Sequence, residues 1–251
     1  MTTAILPGCE PYGSVGGDVG VLVLHGFTGN PTSMRPLAEF LAADGFTVSL
    51  PRLPGHGTSV TDMMTTGWSD WTGAALDAYD DLARRTDRVA VVGLSMGGGL
   101  AAFVAQHRDD VGACVFINPL VKPPVPEMID GLHQLIDAGL TTIDAIGSDV
   151  KREGVTELAY DATPLASAKS LFEGVGVLYA SLERITAPSL LLSSREDHVV
   201  TSDNGDDLEA RVGGPIERVW LDNSFHVATI DNDQPLVQTL TRDFIRRTVP
   251  S

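Results

Sequence analysis

One pentapeptide constrains this chain more than any other part of it: Gly93-Leu94-Ser95-Met96-Gly97. A β-branched run, Val89 to Val92, leads into it, and a small-residue run, Gly98 to Ala105, leads out. By itself G-x-S-x-G is weak evidence. Between a strand and a helix it forces the serine onto a sharp turn and lifts the hydroxyl above the sheet at a helix N-terminus. The glycines on either side let neighbouring backbones approach. A plain glycine-rich turn is the competing reading, and the strand-turn-helix context weighs against it.

The remaining chain supplies a sheet for that turn. Val19 to Leu24, Phe46 to Leu50, Arg88 to Val92, Val111 to Ile117, Ser189 to Leu192 and Glu217 to Leu221 read as strands. Nearly all are continuously apolar, as strands covered on both faces are. Met34 to Asp44, Trp68 to Arg85, Ser95 to His107, Asp203 to Val212 and Pro235 to Arg247 read as helices between them. The alternation predicts an α/β fold with a mostly parallel central sheet and helices on both faces. It stops at Asn118 and resumes near Ala187. The interval opens on a proline-rich stretch and then places Met128, Leu132, Leu135 and Ile136 on one helical face. We read a core formed by residues 1–118 and 184–251, with an inserted, mainly helical cap at 119–183.

Composition narrows the partners. With 17 Lys+Arg against 33 Asp+Glu, the 251-residue chain carries a net charge of −16. Nucleic acids, whose phosphates need a basic face, are excluded as partners, and so is charge-driven docking on anionic lipid. Two cysteines, Cys9 and Cys114, are too few for a disulfide framework or a structural zinc site. Met1 to Glu10 lacks the basic-then-apolar pattern of a signal peptide. The longest uncharged stretch, Val89 to Gln106, is broken by glycines, so no integral membrane segment is expected. A cytoplasmic location is the expectation.

A serine hydroxyl becomes a useful nucleophile only when a base takes its proton and an acid orients that base. Where the serine sits on such a turn, the chain order is serine, acid, histidine. After the strand ending at Leu192 come Glu196, Asp197 and His198; after the strand ending at Leu221 comes His226. Asp197 lies just beyond a strand's carboxyl end and is the preferred acid, with Glu196 and then Asp203 as competitors. His226 is the base. The tetrahedral intermediate needs two N–H donors, for which the backbone of Met96 and of Phe27, in the loop after the first long strand, are the candidates. His25, His56, His107, His133 and His198 read as structural. No metal or organic cofactor is required.

With those pieces placed, the chain resembles the α/β-hydrolases, and more narrowly the small bacterial monoacylglycerol lipases and carboxylesterases. The similarity is carried by Val19 to Gly29, Leu50 to Thr58, Gly93 to Gly98, Glu196 to Val200 and His226 to Thr229, and in the cap by Ile146-Gly147-Ser148-Asp149 and Glu157-Leu158-Ala159-Tyr160. The resemblance implies an α/β-hydrolase fold and a glycerol-reading group made of Glu157, Asn118 and Ile146. Read from the residues alone, a solvated cap charge is the preferred account of Glu157, and the resemblance reverses that preference. The cap start, Leu120 to Gly139, departs from the family pattern and leaves acyl-chain length open.

The implied substrate is a small lipid ester, a medium- or long-chain monoacylglycerol cleaved through an acyl-Ser95 intermediate. Transient contact of the cap with a lipid surface is compatible with this reading, as is a homodimer. A broad carboxylesterase or thioesterase with the same triad is the alternative, and a non-catalytic ligand-binding module a remote one. Dehalogenase and epoxide hydrolase chemistry are disfavoured, because those enzymes carry Asp where this chain has Ser95.

Overall fold

The computed structural model describes residues 4–249. The outermost residues of the expected core, 1–3 and 250–251, lie outside the described residues. Nine strands and eight helices follow one another along the described chain. The strands are β1 (Tyr12–Ser14), β2 (Val19–Leu24), β3 (Thr47–Leu50), β4 (Arg88–Leu94), β5 (Val111–Ile117), β6 (Thr142–Asp144), β7 (Ala162–Pro164), β8 (Ser189–Ser194) and β9 (Ile216–Leu221). The helices are α1 (Arg35–Ala43), α2 (Val60–Met63), α3 (Trp68–Ala83), α4 (Met96–His107), α5 (Pro126–Asp137), α6 (Leu165–Tyr179), α7 (Asp203–Arg211) and α8 (Gln234–Thr248).

Seven strands form the main sheet in the order β1-β3-β2-β4-β5-β8-β9. All pair in parallel except β1, which runs antiparallel to β3 at the edge. Alternate side chains of one strand enter opposite layers, as the two-residue period requires. Leu22 and Leu24 pack with Trp71 and Leu82 of α3, Leu100 of α4 and Leu171 of α6. Val21 and Val23 pack with Leu37 and Leu41 of α1 and Phe244 of α8. Both faces are therefore covered, which is why the central strands are apolar throughout.

The register aligns the carboxyl ends of five strands. Leu24 pairs with Gly93, Leu94 with Ile117, Ile117 with Leu192, and Ser194 with Leu221. The loops after β2, β4, β5, β8 and β9 consequently open on one side of the sheet, where ligands of open parallel sheets bind.

The insertion between β5 and β8 is less separate than its sequence suggests. Helix α5 is amphipathic and buries only Leu132, against Leu165 and Ala168 of α6. Helix α6 instead sinks Leu171, Val175 and Leu178 into the main core. Within the expected cap at 119–183, α6 therefore packs against both α5 and the main core. The cap also holds an antiparallel ribbon, β6 with β7, that the helical reading did not foresee.

Candidate active site

Ser95 occupies the turn between β4 and α4 with φ 57° and ψ −122°, a left-handed conformation that an L-residue holds only under constraint. The constraint is steric. A Cβ on Gly93 would collide with the Gly97 carbonyl, and one on Gly97 with the Leu24 carbonyl. The Ser95 N–H donates to Ile117 O at 3.1 Å, while Ser95 O accepts from Leu120 N at 3.0 Å. The serine is thus clamped between the ends of β2 and β5.

His226 follows β9, and its Nδ1–H donates to Asp197 Oδ2 at 2.8 Å. That contact fixes the tautomer and leaves Nε2 as the acceptor. Oδ1 of Asp197 accepts the N–H groups of Val199 and Val200 at 2.9 and 2.8 Å. Both side chains are buried, 4% exposed for Asp197 and 7% for His226. Glu196 points away to Lys151 Nζ, and Asp203 pairs with Lys122.

Ser95 and His226 line one cavity of about 460 Å³, walled largely by apolar groups including Leu120, Val125, Met128, Phe172 and Val200. Phe27 lines it as well. An added Cβ on Gly26 would stand 3.4 Å from Ser95 Cβ, so the Gly26–Phe27 peptide lies beside the nucleophile. Met96 N–H is the first of α4 and has no intrahelical acceptor.

The loop holding Phe27 is set by buried histidines. His25 donates through Nδ1–H to Gly26 O and accepts Leu53 N–H at Nε2, 3.1 Å away. Burial drives its pKa down to about 3, so the imidazole is neutral. His56 donates to Pro54 O at 2.9 Å, and burial lowers its pKa to about 4. Phe27 stacks edge-on against Trp71 and His56.

The cap residues divide. Glu157 lines the cavity with Ser95 and His226 and lies against the loop after β2, with Oε1 3.0 Å from where a Cβ on Gly29 would be. Burial raises its pKa, opposed by the nearby His226 and the Ser33 hydroxyl. By surface area the residue is half-buried. Ile146 sits at the cavity rim, 75% exposed.

Asn118 is not on the cavity wall. Its amide donates to Ser194 Oγ and His226 O at 2.9 and 2.8 Å and accepts Ser194 N–H at 2.7 Å. With a positive φ of 41°, it knits the ends of β5 and β8 to the His226 loop. Its side chain is spent on these protein partners.

Three groups were given no role of their own in the sequence reading. Tyr160 hydroxyl donates to Gly55 O and accepts Thr58 N–H, both at 2.8 Å, pinning the cap to the loop after β3. Asp149 and Asp231 tie the cap to the histidine loop. Asp149 stood in the quoted Ile146–Asp149 run, from which only Ile146 was singled out. Asp231 carried no signal.

The matching family model, described as the alpha/beta hydrolase family, spans residues 21–239. The chain is an alpha/beta hydrolase. This hydrolase is 42% identical to a thermostable monoacylglycerol lipase of Bacillus sp. (strain H-257), over 97% of this chain and 96% of that one. It is 26% identical to a carboxylesterase of Bacillus subtilis (strain 168), over 95% and 96%. A solved structure described under LipS and LipT, two metagenome-derived lipolytic enzymes, superposes with a TM-score of 0.93 at 43% identity, covering 97% of this hydrolase and 100% of that chain.

Proposed function

We propose that this hydrolase cleaves medium- or long-chain monoacylglycerols to glycerol and fatty acid. The observation that carries the reading is the presence of Glu157 on the wall of the same apolar cavity as Ser95 and His226. A half-buried carboxyl on an apolar wall gains from a polar partner, and the two free hydroxyls of a monoester supply one. The 42%-identical lipase supports the same substrate class.

In the mechanism, His226 Nε2 takes the Ser95 proton as Oγ attacks the ester carbonyl. The Phe27 and Met96 N–H groups receive the oxyanion, each worth ~3–4 kcal/mol of barrier. His226 then protonates the departing glycerol oxygen, leaving acyl-Ser95. Water, deprotonated by the same imidazole, releases the fatty acid. The acyl chain lies on the apolar wall, where each buried methylene contributes about 0.8 kcal/mol.

The exposed apolar side chains of Val125, Met128, Ile146 and Leu158 on the cap would meet a lipid surface transiently. The described residues contain no helix long and apolar enough to cross a membrane. The proposed cytoplasmic location agrees with two unpaired, buried cysteines.

The test compares initial rates on 1-lauroylglycerol, dilaurin, trilaurin and methyl laurate, with Ser95→Ala as blank. A preference for the monoester of about tenfold, lost in Glu157→Ala, is the expected outcome; losing a hydrogen bond to a charged partner is of that size. Equal rates on methyl laurate and 1-lauroylglycerol would instead identify a general carboxylesterase.

A further inference from the structure

Asp197 orients the His226 ring, but a ring is only as fixed as the backbone that carries it. That backbone lies in a loop beyond β9, outside the sheet. Two of its N–H groups reach across to the cap. His226 N–H donates to Asp149 Oδ2 at 3.1 Å, and Val227 N–H donates to Asp149 O at 3.1 Å. The same Oδ2 accepts the N–H of His198, also at 3.1 Å, and Oδ1 meets His198 Nδ1 at 2.8 Å. One carboxylate oxygen therefore joins the residue after the acid to the base itself.

The cap segment bearing Asp149 is held in return. Asp231, fully buried on the histidine side, accepts Lys151 N–H at 2.7 Å and Arg152 N–H at 2.8 Å. Its remaining bonds come from Phe225 N–H at 2.9 Å and Asn232 N–H at 2.7 Å. Four N–H donors satisfy a buried carboxylate without a cation. The Lys151 side chain pairs with Glu196, and that of Arg152 reaches Gln234. Each side of the junction thus contributes an aspartate that binds the other side's backbone, across 77 to 80 residues of sequence.

From this reciprocal arrangement we infer that Asp149 is a positioning residue for the catalytic base, supplied by the cap and locked by Asp231. The cap then does more than cover the substrate: it sets the distance between the acid and base loops. The inference rests on the Ser95–His226–Asp197 reading above.

The test uses p-nitrophenyl butyrate, which does not depend on glycerol contacts, and Asp149→Ala, Asp149→Asn and Asp231→Asn, each alone and combined with His226→Ala. Asp149→Ala is expected to lower kcat by about 10–100-fold, the range for a base displaced by an ångström or less, with KM within about twofold. Asp149→Asn keeps an amide oxygen for the two N–H donors and should recover kcat to within about threefold of wild type. Asp231→Asn presents an NH₂ to backbone donors and should lose about 3–10-fold in kcat. In the His226→Ala background none of the three should cost anything further, because residues acting as a unit are non-additive. Equal losses with and without His226, or a loss confined to KM, would overturn the inference. If Asp149→Ala does not fold, the Asp231→Asn pair decides by the same criterion. Failure of the underlying triad reading would look different: His226→Ala itself would retain the wild-type rate.

Discussion

The two walls of the cavity are built by different means. On the core side, positions are set by backbone sterics: Ser95 is held at φ 57° because Gly93 and Gly97 leave no room for a Cβ. On the cap side, positions are set by side chains bonding to distant backbone. Asn30 amide reaches Leu158 O, Tyr160 hydroxyl reaches Gly55 and Thr58, and Asp149 reaches His226. Steric placement tolerates no substitution at the contact, whereas hydrogen-bonded placement weakens in steps of about 0.5–3 kcal/mol as each partner is removed.

The largest expected effect is therefore on the core side. Gly97→Ala would force its Cβ onto the Leu24 carbonyl, and overpacking against backbone costs about 1–3 kcal/mol or more. Ester turnover should fall at least about 100-fold, since a displacement near 1 Å suffices for that. Retention of half the wild-type rate would show that the turn has slack.

A smaller difference concerns acid. Native His25 and His56 resist protonation until about pH 3 and 4, whereas the unfolded chain takes up those protons near pH 6.5. Stability is present above that pH and falls as the pH drops from about 6.5 towards the native values. Urea midpoints across this window should decline, and His56→Asn should flatten the decline. An unchanged slope would remove the neutral imidazoles as its cause.

The cap side has the opposite sign and the smallest effect. Exposed His198 has its pKa raised by the Asp149 carboxylate, with Asp197 and Glu196 adding to it. The native state holds this proton more tightly than the unfolded chain, so its contribution is complete below about pH 6.5 and is lost as the pH rises through the native value. His198→Gln should remove a slight alkaline decline in midpoint while leaving the acid limb untouched.

The same contrast governs what was legible in the sequence. The strands stood out because two-sided burial makes continuous apolar runs; β2 and β5 have the expected bounds, and β4 and β8 run two residues further, through Gly93-Leu94 and Ser193-Ser194. β1 was missed because a three-residue edge strand, half-exposed, carries no such run. The candidates Ser95, Asp197 and His226 follow strand ends, where topology alone limits the choices. Asn118, Asp149, Tyr160 and Asp231 each bond to a residue 76 to 108 positions away, with no period to announce it. Glu157 was legible only through resemblance, since nothing local distinguishes a cavity carboxylate from a solvated one.

Strands β5 and β8 are neighbours in the sheet, so the chain leaves for the cap and returns almost to where it left. Closing a flexible excursion grows dearer only logarithmically with length, about 0.6 kcal/mol for each doubling. Lineages can therefore lengthen or shorten this excursion, and with it the shape of the acyl compartment, without redrawing the sheet. Recombination that exchanges whole caps at Asn118 and Leu165 would meet its resistance elsewhere, at the four-residue stretch Asp149–Arg152, whose register against the histidine loop any incoming segment must reproduce.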